Sequence, residues 1–119
     1  MNRCVFCNIG KIEKMIFESE NFLFFKDKYP AVKDMHFLLV PKAHIREEVE
    51  IGKDLWEEYR MMCNKAYLYV QEKCKVKPLT FIHPPQMQTV HHLHRHYIGG
   101  VFGREGVKKA LLEYAQNNP

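Results

Sequence analysis

Between Asp54 and Cys74 the chain sets apolar residues at helical spacing, and this one long helical pattern constrains the fold more than any other feature. Leu55, Tyr59, Met62, Ala66 and Tyr69 recur three to four residues apart, one stripe of a helix. Asp54 can cap the first turn, with Glu57 three residues on, and Pro78 keeps the helix from running far beyond Cys74. The stripe reads as core or subunit interface, and Cys63 and Cys74 on this helix read as core or interface thiols. The segments on either side are short. Met15–Glu18, closed by Ser19-Glu20-Asn21, and the aromatic run Phe22–Lys26 suit strands. Asp27 to Asp34, with Pro30 and several charges, reads as a loop. His36–Pro41 is an apolar run ended by Pro, as in a buried strand. After the helix, Leu79–His83 is stopped by Pro84-Pro85, and Thr89–Ile98 is closed by Gly99-Gly100; both read as strands. Arg104–Gln116 has a second helical pattern through Val107, Leu111 and Tyr114. Strands, helix, strands, helix is the order of an α+β fold with a mainly antiparallel sheet of about five strands.

With 119 residues, one domain spanning 1–119 is expected. Apolar residues at 46% and charged residues at 27% are those of a soluble globular protein. The net charge of +4 is spread along the chain. It reads first as a solvated surface, and a dedicated nucleic-acid protein would carry a denser basic stripe. MNRCVFCNIG lacks the apolar run of a signal peptide, and no stretch approaches the ~18 apolar residues of a membrane span. The expectation is a cytoplasmic protein, with the nucleus as a second compartment and no membrane partner. In a reducing compartment Cys4, Cys7, Cys63 and Cys74 are thiols or metal ligands rather than disulfides.

The segment His91-His92-Leu93-His94-Arg95-His96-Tyr97-Ile98-Gly99-Gly100 is the richest in chemistry. On an extended chain His92, His94 and His96 project from one face, and Leu93, Arg95 and Tyr97 from the other. Three aligned imidazoles are rarely a packing solution, because each ring has two nitrogens to satisfy if buried. A neutral imidazole can attack phosphorus while its neighbours hydrogen-bond the non-bridging oxygens or move protons. A metal site using all three rings, a surface His tract and a fortuitous cluster are the competing readings. Cys4-x-x-Cys7 has zinc-knuckle spacing with no second such pair, so free thiols and a redox pair compete with a metal site there.

HLHRHYIGG resembles the histidine-triad motif, in which three histidines alternate with apolar residues. FFKDKYPA resembles that family's strand and loop with the ribose-binding acid, HFLLVPKAHI its strand and turn, and CVFC its zinc-binding members. The resemblance runs from about Cys4 to Gly100. The spacing from His83 to His92 across Pro84-Pro85 resembles the aprataxin-like branch.

The resemblance implies a nucleotide hydrolase in which His94 forms a covalent nucleotidyl-imidazole, released by water as a nucleoside monophosphate. His96 would hydrogen-bond the α-phosphate, and His92 would complete the triad. Asp27 would accept the ribose hydroxyls, and Phe6, Ile9 and Phe25 would form the slot for the base. Thr89 would stand near the phosphate or leaving group, and His83 would be a further substrate-binding residue. A structural zinc is implied on Cys4, Cys7, His44 and His92, closed to substrate, with no organic cofactor. Arg95 and Lys28 depart from the pattern, which has apolar residues there, and His91 faces away from the triad. Substrates would be purine nucleotides or AMP-like conjugates such as a nucleoside 5′-phosphoramidate, and family members of this size are commonly homodimers. The alternatives are an aprataxin-like deadenylase of adenylylated nucleic acid and a zinc-stabilised nucleotide-binding module with little catalysis.

Overall fold

Alternation along three central strands places apolar side chains on both faces of one sheet, and the rest of the chain covers those faces. The computed structural model describes residues 4, 6–7, 15–88 and 90–117. Strands β1 (Met15–Glu18), β2 (Phe22–Lys26), β3 (His36–Pro41), β4 (Leu79–Ile82) and β5 (Arg95–Ile98) form an antiparallel sheet in the order β1-β2-β3-β5-β4. This is the α+β architecture expected. Phe22 and Phe24 of β2, Phe37 and Leu39 of β3, and Tyr97 of β5 pack with Tyr59, Met62, Ala66 and Val70 of helix α1 (Trp56–Cys74). Leu23, Phe25, Leu38 and Val40 point the other way and form a second cluster with Phe6. One cross-strand row on this second face runs Phe25, Leu38, His96, Phe81. The helix therefore packs on one face while the histidines gather on the other. No helix among the described residues is long and apolar enough to cross a membrane.

Several boundaries differ from those expected. Asp54 is not the cap of α1, because a 3-10 turn at Lys53–Leu55 already winds the chain and Leu55 enters the helix with no side-chain cap. Glu58 of the first turn instead accepts hydrogen bonds from Ser19 Oγ, Asn21 N and Asn21 Nδ2, pinning the β1–β2 turn to the helix. The helix ends ahead of Pro78, where Lys75 takes the left-handed conformation (φ 65°) and donates to Gln71 O. β4 stops at Ile82 rather than His83. β5 does not span Thr89–Ile98; pairing with β3 ends at Leu39↔Arg95. Upstream of it His92 N donates to Val90 O in a turn and Leu93 N donates to Ile45 O, so the backbone there answers to loops rather than to a ladder. Gly99 matters for packing, since a Cβ there would lie 2.6 Å from Cys74 Sγ of α1. Helix α2 (Gly103–Asn117) forms as expected, but its packed side carries Ala110 and Tyr114, and Leu111 is exposed.

Candidate active site

The facial alternation of the histidine run survives although half of it is not strand. Leu93 and Tyr97 join the core under α1, whereas His92 and His94 lie against Phe6, at 5.8 and 5.2 Å between rings, and His96 stacks on Phe81 at 4.6 Å. All three histidines are buried, and His94 and His96 rings are 4.9 Å apart.

Each ring has one nitrogen committed, and the identity of that partner determines what the other nitrogen can do. His94 Nδ1 lies 2.7 Å from the carbonyl oxygen of His92. A carbonyl only accepts, so Nδ1 carries the proton and Nε2 keeps a lone pair. Burial lowers the pKa of His94 to about 4, the largest influence on it, so the ring is neutral at pH 7. His92 follows the same rule: its Nε2 donates to Pro41 O at 2.8 Å, and the lone pair is left on Nδ1. His96 is the reverse case. The backbone N–H of Ala31 donates to His36 Nδ1 (2.9 Å), so the His36 proton is on Nε2, which donates to His96 Nδ1 at 2.9 Å. His96 must then carry its proton on Nε2, a buried donor with no partner among the described residues. Burial, first of all, holds His96 far below the usual histidine range and His36 at about 3.

Asp27 sits at the end of β2, only 8% exposed. Its Oδ1 accepts the N–H of Tyr29 at 2.9 Å; Oδ2 is 3.4 Å from His36 Nε2 and, with no hydrogen-bond partner, is a buried orphan acceptor. Burial raises this carboxyl to about 6. The second face thus presents a lone pair on His94, an unpartnered donor on His96, whose ring lies 4.9 Å from that of His94, and an unpartnered acceptor on Asp27, next to His36. Buried polar atoms are seldom left unpaired unless a ligand completes them. Asp27, His36 and His96 could be taken for metal ligands. With Nδ1 of His36 occupied by an N–H, however, its Nε2 is a donor and not a ligand, so a hydrogen-bond relay describes them better.

The residues expected at the site are largely brought together. Phe6 and Phe25 pack at 5.8 Å beside the triad, forming an apolar wall. His83 is half-buried with its ring 4.9 Å from His96 and 6.2 Å from His94, and burial lowers its pKa. Ile9 and Thr89 lie outside the described residues. His91 and Lys28 are exposed. Arg95, on the α1 face, is half-buried and ion-paired to Glu48 at 3.0 Å, with Thr80 and Tyr59 as further partners. Two residues were not anticipated from sequence. His36 had a signal, since a His heading an otherwise apolar buried strand needs partners for two nitrogens. Tyr114 had none: its ring lies 4.9 Å from His96, 5.2 Å from His36 and 5.9 Å from His83, a contact made only by folding.

At the other end of the run, Cys4 Sγ and Cys7 Sγ each lie 3.3 Å from His92 Nδ1, His44 Nδ1 lies 3.2 Å from it, and His44 Nδ1 is 3.0 Å from Cys7 Sγ. These four ligand atoms lie within 4.8 Å of one another, so they could hold a metal ion. Two sulfurs and two imidazole nitrogens are a tetrahedral zinc donor set, with bonds of ~2.0–2.3 Å. The Pro41 carbonyl leaves the His92 lone pair aimed into the cluster, as a metal-ligating ring requires.

The profile described as "Scavenger mRNA decapping enzyme C-term binding" matches residues 3–111. The chain belongs to the histidine-triad superfamily. Within that superfamily, mouse adenosine 5′-monophosphoramidase HINT3 is 32% identical over 111 residues, covering 84% of this chain and 65% of the mouse protein. The chain thus spans under two thirds of that relative. A histidine-triad (HIT) family hydrolase from Clostridium thermocellum is similar in structure, with TM-score 0.69 and 31% identity over 85% of this chain and 93% of that one. A Zn-bound histidine-triad protein from Mycobacterium smegmatis shares the fold at TM-score 0.70 and 23% identity, covering 96% of this chain and 94% of that one. These matches lend no support to the aprataxin-like branch suggested by the His83–His92 spacing.

Proposed function

We propose that this chain is a nucleotide hydrolase that cleaves a nucleoside 5′-phosphoramidate or a similar nucleotidyl conjugate. One observation carries the reading: His94 keeps a lone pair on Nε2, the His96 ring 4.9 Å from it bears an orphan donor, and Asp27, next to His36, bears an orphan acceptor. A nucleotide supplies what these three lack, an electrophilic phosphorus, anionic phosphoryl oxygens and a ribose hydroxyl. The likeness to a mouse adenosine monophosphoramidase and to histidine-triad hydrolases supports this choice of substrate class.

In the proposed reaction His94 Nε2 attacks the α-phosphorus as the amine departs with a proton, giving a nucleotidyl-histidine. The His96 Nε2–H donates to a non-bridging oxygen where negative charge grows, a role its relay through His36 and Ala31 prepares. Water then displaces His94 from phosphorus and releases the nucleoside monophosphate. Phe6 and Phe25 supply a flat apolar wall for the base. Cys4, Cys7, His44 and His92 would hold a structural zinc, whose chemistry is to clamp the N-terminal turn to the triad; the set leaves no open position for substrate.

Mixing the protein with adenosine 5′-phosphoramidate tests the reading. AMP release and an acid-quenched adenylyl-protein are expected, both lost in His94→Ala. Turnover by that variant at the parent rate would rule the mechanism out.

A further inference from the structure

Residues 83–94 join β4 to β5, so this loop begins with His83 and ends with the proposed nucleophile, His94. Its own bonds are short-range turns: Met87 N donates to Pro84 O, Gln88 N to Pro85 O and His92 N to Val90 O. Ladder pairing to β3 and β4 resumes only at Arg95. A stretch without ladder bonds belongs to the part of a fold that opens at low cost, unless other groups tie it down.

Three consecutive residues between β3 and α1 supply those ties. His44 Nδ1 meets His92 Nδ1 at 3.2 Å in the cysteine–histidine cluster, and Ile45 O accepts Leu93 N at 2.6 Å. Arg46 grips the loop further back. Its Nη2 donates to Pro85 O at 2.8 Å and its Nε to Gln88 Oε1 at 3.2 Å, while Gln88 Nε2 donates back to Arg46 O at 2.8 Å. The clasp is thus reciprocal, with a guanidinium fork on two acceptors of one loop. Gln88 is buried and Arg46 half-buried, so these bonds are made largely out of water, where they hold more strongly. Arg46 is in none of the ion pairs among the described residues, so its fork is given to the loop.

The clasp bears on His94 through the backbone. His94 Nδ1 donates to the carbonyl of His92, two residues back. That carbonyl belongs to the peptide whose N–H, on Leu93, bonds Ile45 O. If the loop slides, the carbonyl leaves Nδ1, and a neutral ring is free to carry its proton on Nε2 instead. The attacking lone pair is then gone.

We propose that Arg46 is a positioning residue: by clasping Gln88 and Pro85 it fixes the loop that ends at His94, and so keeps the His94 lone pair on Nε2 and in place for attack. This rests on the reading of the site given above.

In the full zinc-loaded chain, Arg46→Met is expected to lower kcat for adenosine 5′-phosphoramidate by about 10- to 100-fold with KM within about twofold of the parent, the pattern of a misplaced attacking group. Gln88→Leu should do the same, and Gln88→Glu, which still accepts from Arg46 Nε, should recover part of the loss. Combining Arg46→Met with Gln88→Leu should cost no more than either alone, because both break one clasp. Losses that multiply, a fall carried by KM, or zinc missing from either single variant would overturn the proposal. Two measurements need no substrate. In proton–nitrogen correlation spectra the His94 ring should carry its proton on Nδ1 in the parent and on both nitrogens in Arg46→Met; the Nδ1 form alone in both proteins would overturn the positioning role. In the unmutated protein, free of any folding defect, the Arg46 Nε–H should exchange with solvent more slowly than those of the exposed Arg60 and Arg104, and equal rates would overturn the clasp. A displaced His94 proton in Arg46→Met, with no AMP released by the parent, would uphold the hold of Arg46 on His94 and count against the proposed function.

Discussion

His92 and His96 are the same side chain, four residues apart on one face and both buried, yet they face opposite tasks. His92 donates its Nε2–H to the Pro41 carbonyl, so its lone pair is turned toward two sulfurs and another imidazole, an environment for a cation. His96 accepts a hydrogen bond from His36 at Nδ1, so its N–H is on Nε2, a buried donor suited to an anion. His94 follows the carbonyl rule, but no sulfur among the described residues is hydrogen-bonded to it, and its Nε2 lone pair is left uncommitted. A buried histidine is thus assigned its chemistry by whether its first partner accepts or donates.

Breaking the cation end should give the largest effect. Cys7→Ala is expected to abolish bound zinc and lower the melting temperature by well over 10 °C, since structural zinc contributes on the order of 10 kcal/mol. Metal analysis and a thermal melt check this, and a full complement of zinc in the variant would refute the assignment. Phe6 lies between the two cysteines and against His94, so chelation should also raise KM more than it lowers kcat.

Breaking the anion end should leave zinc in place. His36→Leu removes the group that fixes the His96 proton, and kcat should fall by roughly 10²-fold, the usual cost of one misaligned oxyanion donor. His36→Gln, which can still donate, should recover part of that loss. An unchanged kcat in His36→Leu would show that the relay does not matter.

Asp27 sharpens the contrast through pH. Its folded pKa, about 6, stands above the ordinary 3.8 because burial disfavours the charge. The group therefore favours folding below pH ~4, and that contribution is lost as pH rises through about 6. Asp27→Asn should be more stable than the parent at pH 8 by up to ~3 kcal/mol, an advantage gone below pH ~4. Urea melts at the two pH values read this directly, and KM for the phosphoramidate should rise in the same variant. The smallest effect belongs to the α1 face: Arg95→Leu breaks a half-exposed ion pair with Glu48 and should cost ~1 kcal/mol or less with kcat unaltered.

Much of this was legible because local rules carry it. Period-2 alternation placed His92, His94 and His96 on one face, and it held even where the ladder was lost, since Leu93 must still reach the core. The aromatic run of β2 and the apolar run of β3 announced themselves as strands, and CVFC with His44 and His92 announced a donor set. Other features could not be read along the chain. Whether Asp54 caps α1 depended on a 3-10 turn that began before it. The extent of β5 depended on Ile45 drawing away the N–H of Leu93.

By itself, then, the sequence carried the motifs by which it resembles its family, and it determined the sheet and the face on which the histidines lie, because side-chain period and burial are properties of neighbours along the backbone. Only the tertiary structure decided which nitrogen of the His92, His36 and His96 rings holds the proton, that His36 stands behind His96, and that Tyr114 packs against His96. Those are set by partners 5 to 60 residues away in sequence for the His36 relay, a carbonyl 51 residues away for His92, and a helix that reaches the triad only once the chain has closed on itself.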